Sequence, residues 1–171
     1  TFSEMSEKYS MPQWIIDEWK KEYPDQVVEV ILKQFLEKRP ISIRCDIHKI
    51  SRDELAERLD SEGVTVYKPE FPEEALEIED VDSISGLKAF KEGLFQVQDI
   101  SSMLVGKIAA PKKGDYIIDV CAAPGGKAIH LAELLDGTGK VEARDLTEYK
   151  VSLIQENIER SGLKNINTVC M

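Results

Sequence analysis

The sequence is poor in cysteine and histidine, the side chains most used for thiolate, redox and near-neutral proton chemistry. It holds three cysteines and two histidines in 171 residues. Cys45, Cys121 and Cys170 lie far apart, which fits neither zinc-ligand spacing nor a disulfide framework. Isolated cysteines of this kind behave as small buried hydrophobes, and this is expected of all three. His48 and His130 stand alone, and a surface position is expected for His130. No metal site is expected. No apolar run approaches the ~20 residues of a membrane-spanning helix. Residues 1–10 are polar and carry Glu4 and Glu7, unlike a signal peptide. A cytoplasmic protein without a membrane partner is therefore expected. Position 1 is Thr1, so the natural start is expected elsewhere. Internal repeats and low-complexity segments are absent.

A basic excess is also lacking. The net charge is −10. Residues 1–86 hold 11 Lys/Arg against 21 Asp/Glu, and residues 87–171 hold 11 of each. Nucleic-acid-binding domains normally present a basic face, so composition gives no independent sign of RNA. Lys107, Lys112 and Lys113 are the candidate local patch, with ordinary solvated lysines as the alternative.

What is present is a distinctive turn. An apolar run, Tyr116-Ile-Ile-Asp-Val-Cys121, enters Ala122-Ala-Pro-Gly-Gly-Lys127. A helical pattern follows at once through Ala128, Leu131, Ala132 and Leu135. A strand turning through glycine into a helix is a nucleotide-cofactor site in open α/β sheets. Small residues let the backbone approach a ligand, and the helix start offers free N–H groups. A phosphate-binding P-loop would need glycine where Cys121 stands and a hydroxyl where Ala128 stands. The dinucleotide Gly-x-Gly-x-x-Gly pattern is missing as well. Lys140 to Asp145 reads as a second strand, and Asp145 follows Gly126 by 19 residues. That is close to the spacing at which an acidic residue meets a ribose diol. Thr147 to Ser161 reads as a helix stopped by Gly162, and Asn167 to Cys170 as the start of a third strand.

The segment 119–127 resembles motif I of the nucleolar-protein/Sun family of RNA cytosine-5 methyltransferases. Asp145 matches the acidic residue of that family's second motif. Phe90-Lys-Glu-Gly-Leu-Phe-Gln-Val-Gln-Asp-Ile-Ser-Ser-Met103 resembles the segment that precedes motif I there. Trp14 to Pro69 looks like the smaller domain of the bacterial Sun (RsmB-type) enzymes. The resemblance implies S-adenosylmethionine as cofactor and cytosine in small-subunit ribosomal RNA as substrate. It implies cofactor-binding roles for Cys121, Ala122, Ala123, Pro124, Gly125, Gly126, Lys127 and Asp145. The family's two cysteine-bearing catalytic motifs do not occur, so no catalytic residue is assigned. The chain is expected to be a catalytically incomplete part of its parent enzyme.

The first half reads as smaller pieces. Trp14, Ile15 and Trp19 supply one helical face, and Val28, Ile31, Leu32 and Phe35 another, ending at Pro40. Ile41 to Cys45 is a strand with Cys45 pointing to a core. Ser51 and Glu54 form a capping box for a helix through Leu55, Ala56 and Leu59. Val64 to Tyr67 is a strand. Glu70 to Ser85 is the expected connector, with some strand-like alternation. Leu94 to Val97 is a strand, and Asp99 is expected to cap the helix after it.

The expected fold is α/β. A partial Rossmann-like S-adenosylmethionine-dependent methyltransferase domain (86–171) follows a helical segment (1–40) and a small α+β domain with its connector (41–85). The small domain resembles an RNA-recognition fold without that motif's aromatic signature. Two other classes stay open: a non-catalytic RNA- or protein-binding module, and a Rossmann-type NAD-dependent oxidoreductase.

Overall fold

The computed structural model describes residues 4–171. Residues 1–3 of the expected helical segment lie outside the described residues. The chain divides into two compact units, Thr1–Arg39 and Pro40–Met171.

The first unit is helical: α1 (Glu4–Lys8), α2 (Gln13–Glu22) and α3 (Asp25–Leu36). Pro12 and Pro24 occupy the N-cap positions of α2 and α3, where a missing N–H costs nothing. Tyr9, Ile16, Val28 and Leu32 form its core. The buried face of α2 thus turns on Ile16, while Trp14 is exposed. Trp19 stacks on Phe35 with ring centroids 5.9 Å apart.

The second unit contains two sheets. The first is built from β1 (Ile41–Cys45), α4 (Arg52–Ser61), β2 (Thr65–Tyr67), β3 (Ala75–Glu79), α5 (Lys88–Lys91) and β4 (Phe95–Val97). Its strand order is β2-β3-β1-β4, with every neighbouring pair antiparallel. This β-α-β-β-α-β arrangement is the ferredoxin-like topology that RNA-recognition folds share. The Ser51–Glu54 capping box forms as read. Ile43, Cys45, Leu55, Leu59, Leu76, Ile78 and Phe95 build the core under the sheet.

Two expectations change here. The stretch read as a connector contributes β3, an interior strand with Ala75, Leu76 and Ile78 buried. Its alternation buries one face and turns Glu77 and Glu79 outward, so its acidity reflects the outer side alone. The sheet also takes in Phe95–Val97, whose Ile43↔Val97 register fixes β4 beside β1, beyond the connector.

The second sheet holds β5 (Tyr116–Asp119), β6 (Lys140–Asp145) and β7 (Ile166–Cys170), parallel and in that order. The helices α7 (Gly126–Leu134) and α8 (Glu148–Ser161) are the crossovers, as parallel neighbours require. Thr147 caps α8 through its side chain, and Gly162 ends it at a φ of 72°. Ala128, Ile129, Ala132, Val141, Ala143 and Ile154 fill the core between helices and sheet. Ile117 packs into that core, whereas Tyr116 and Ile118 are exposed on the opposite side. A further helix, α6 (Ile100–Ala109), runs between the two sheets in sequence and packs on α7. No described helix is long and apolar enough to cross a membrane.

Candidate cofactor site

The turn between β5 and α7 is held from three sides. Ala122 N–H donates to the Arg144 carbonyl at 2.9 Å. Ala123 N–H donates to Asp145 Oδ2 at 3.0 Å. Asn157 of α8 donates to the Pro124 carbonyl at 2.9 Å. Gly125 then takes a φ of 108°, and a side chain there would press within 3.2 Å of Ile154 Cγ2. Only glycine meets both demands cheaply. Gly125 is also the N-cap of α7, and no side chain caps that helix. The first N–H groups of α7 are therefore left for a ligand or solvent.

Beside this helix start lies a cavity of about 210 Å³. Ala122, Ala123, Pro124, Gly126 and Lys127 line one wall, and Val97, Gln98, Asp99 and Ser102 the other. Five of the eight expected site residues thus share one cavity. Gly125 instead faces the core. Cys121 is exposed next to the turn, outside the cavity lining. Asp145 is also outside that lining, although it holds the turn directly. It is only 5% exposed. Its Oδ1 accepts from Leu146 N–H at 2.8 Å and lies 3.2 Å from Lys150 Nζ. The Leu146 and Ala123 N–H groups hold its carboxyl below the usual carboxylate range, so it is ionised at neutral pH.

The second wall escaped the reading of residues. Asp99 does stand at the N-cap of α6, but its side chain makes no cap hydrogen bond, and Asp99 is among the residues that line the cavity. Gln98 is buried, and its Nε2 has no hydrogen-bond partner in the protein. Gln98 Oε1 accepts from Arg44 Nε at 2.6 Å. Arg44, on β1, is itself buried and grips Glu133 of α7 through both terminal nitrogens, NH2 at 3.2 Å from Oε1. Burial pushes the Glu133 carboxyl up, and the Arg44 guanidinium opposes that shift. The only signal for this wall was the family-like segment from Phe90 to Met103, which carried no residue roles.

Behind α7, His130 is buried, not exposed as expected. The helix is enclosed on several sides, and Ala128 through Glu133 are all buried. Gly106 of α6 makes the seat: a Cβ there would lie 2.6 Å from His130 Nδ1. Burial, with Arg44 and Lys107 nearby, pushes the imidazole down to about 3. The buried Glu74 carboxylate stands 3.6 Å from Nε2. Lys107 pairs with that same Glu74 at 3.0 Å, and Lys113 lies 3.7 Å from Asp136. Lys107 and Lys113 are thus drawn to separate carboxylates.

The cysteines divide. Cys45 is buried, as expected, and burial pushes its thiol up to about 12. Cys121 and Cys170 are exposed, contrary to expectation. One sits in the open turn and the other at the end of the outer strand β7, where the core does not reach. No group of three or more His, Cys, Asp or Glu side chains able to hold a metal occurs among the described residues.

Comparison with known proteins places this architecture. The family described as 16S rRNA methyltransferase RsmB/F matches residues 107–171. The RsmF/B-like ferredoxin-like domain matches residues 11–84. A probable ribosomal RNA small subunit methyltransferase B of Bacillus subtilis is 36% identical over 95% of this chain and 36% of its own length. A tRNA (cytosine(72)-C(5))-methyltransferase of Pyrococcus horikoshii is 34% identical over 81% of this chain and 33% of its own. The solved structure of PH0851 superposes with a TM-score of 0.88 at 29% identity, covering 99% of this chain and 39% of that one. The chain spans about a third of the length of these curated relatives. Matched in both its ferredoxin-like sheet and its glycine-turn sheet, the chain belongs to the RsmB/F (Sun) family of RNA methyltransferases.

Proposed function

We propose that this chain holds S-adenosylmethionine at the Ala122–Lys127 turn and serves methylation of cytosine C5 in small-subunit ribosomal RNA. The observation that carries the reading is the composition of the 210 Å³ cavity. The uncapped start of α7 lies beside it, and Gln98, whose buried amide nitrogen has no partner in the protein, and Asp99 line it together. An α-amino acid end presents one carboxylate and one ammonium. N–H donors and the positive end of a helix suit the first, and a carboxylate suits the second. The volume is below the ~300–1,000 Å³ of sites that enclose a whole ligand. It fits the methionine end, with the nucleoside lying along the open strand ends towards Asp145.

Asp145 has capacity left for a ribose hydroxyl. Oδ2 accepts a single bond, from Ala123, and a carboxylate oxygen can accept two. When bound, the cofactor supplies an electrophilic methyl group. The residues of this chain bind it, orient it and shape the turn beneath it. None is assigned attack on cytosine C6: Cys45 is a buried, protonated thiol, and neither Cys121 nor Cys170 is among the residues that line the cavity.

Ribosomal RNA is preferred over tRNA as substrate because the Bacillus subtilis relative combines higher identity with wider coverage. Calorimetric titration tests the cofactor. S-adenosylmethionine is expected to bind in preference to NAD, and Asp145→Ala to weaken it about tenfold, the worth of a charged hydrogen bond. Preference for NAD, or no binding by the folded chain, overturns the reading. Methyl transfer by the full-length protein to tRNA, and not to small-subunit RNA, would overturn the choice of substrate alone.

A further inference from the structure

We infer that Gln98 is a ligand-contacting donor specific for the amino-acid end of the cofactor, and that Arg44 of the neighbouring sheet sets its orientation. The inference rests on the cofactor reading above. A glutamine amide has one acceptor face and one donor face, and they can ordinarily exchange by rotation. Here they cannot. Arginine only donates, so the 2.6 Å contact from Arg44 Nε admits only Oε1. Nε2 must then point away from Arg44, and it is buried without a protein partner. Gln98 lines the cavity on the wall opposite the turn, and its Cδ lies 3.9 Å from a Cβ built on Gly126, which places the free donor beside the start of α7.

A buried donor without an acceptor is costly, and native structures rarely leave one without a reason. An oxygen from a ligand seated at the start of α7 satisfies it. The backbone of Gln98 is fixed as well, since its N–H donates to the Ser42 carbonyl at 3.2 Å. Arg44 is fixed in turn by Glu133, one helix length from the same turn. The donor is therefore aimed before any ligand arrives, which lowers the cost of binding. Arg44 is not among the residues that line the cavity and acts only through Gln98, so it is a positioning residue.

The test compares two probes on the full chain by calorimetry. S-adenosylhomocysteine carries the amino-acid end; 5′-methylthioadenosine lacks it. Gln98→Glu keeps an acceptor for Arg44 and removes the donor. It is expected to weaken S-adenosylhomocysteine about tenfold or more and to leave 5′-methylthioadenosine unchanged. If Gln98→Glu fails to fold, Gln98→Met is read in the same way. The double variant Arg44→Met with Glu133→Leu leaves Gln98 in place but free to rotate, and it too should weaken only S-adenosylhomocysteine. Equal losses for both probes would mean a merely structural role and overturn the inference. So would an unchanged affinity for S-adenosylhomocysteine in a folded Gln98 variant. If the unaltered chain binds neither probe, the cofactor reading itself fails.

Discussion

His130 shows how one buried side chain sets the acid limit of the fold. Its imidazole is neutral in the folded protein because burial holds it at about 3, against about 6.5 when unfolded. Between those values the unfolded chain binds a proton that the folded chain refuses. Stability is therefore expected to fall as pH drops from about 6.5 towards 3, with a slope approaching ~1.4 kcal/mol per pH unit in mid-window. Above that window His130 contributes no pH dependence. Asp145 acts lower down: its depressed carboxyl adds stability above its unfolded value near 3.9 and loses it as pH falls further. Urea unfolding across pH checks this, with His130→Leu flattening the upper part of the window. A slope unchanged by that substitution would mean that another group titrates there. None of this was legible in the sequence, where His130 is an isolated polar residue on a helix. Its burial depends on Gly106 and Glu74, which no local pattern connects to it. The turn residues were legible, because a strand, small residues and a helix must be adjacent in sequence to build that turn.

At the level of elements, the contact between β1 and α7 joins the two sheets. Arg44 and Glu133 form a buried pair, supported nearby by Lys49, which donates to the Gly93 and Ser161 carbonyls at 2.8 and 2.6 Å. Arg160 of α8 adds a further tie, donating to the Phe95 carbonyl at 3.0 Å and stacking 3.8 Å from the Phe90 ring. Arg44→Met alone leaves a buried carboxylate without its partner and is expected to cost about 3–5 kcal/mol. Adding Glu133→Leu removes the stranded charge and should recover most of that loss. Chemical denaturation of both variants measures the difference, and equal instability of single and double variants would refute the account. In the second sheet the helices and strands were readable: β6 has the expected bounds, and α8 carries the expected stop at Gly162. Which strand pairs with which was not. β3 hid behind its glutamates, and β4 joined a sheet whose other strands lie far back in the chain. Pairing of that kind is decided by packing across the whole unit.

For the molecule as a whole, the acidic excess and the site fall in different places. The surplus of negative charge belongs to residues 1–86, whereas the turn and the nearer cavity wall lie in a segment of balanced charge. Every residue assigned to the cofactor lies within Pro40–Met171, which is compact by itself. A chain beginning at Pro40 is therefore expected to fold and to bind S-adenosylhomocysteine with unchanged affinity. Circular dichroism and calorimetry would show this, and a folded Pro40–Met171 chain without that affinity would tie the site to the helical unit. The charge division was plain from the sequence, but the compact unit was not, since it crosses the expected connector.

The position of Gln98 has a thermodynamic consequence. One amide is shared between the joint of the two sheets and the cavity, so the two are linked functions. If a firm joint raises ligand affinity by some factor, a bound ligand must firm the joint by that same factor. Cofactor and sheet-to-sheet docking then act as effectors of each other, and hydrogen exchange at β1 would register a ligand that does not touch that strand.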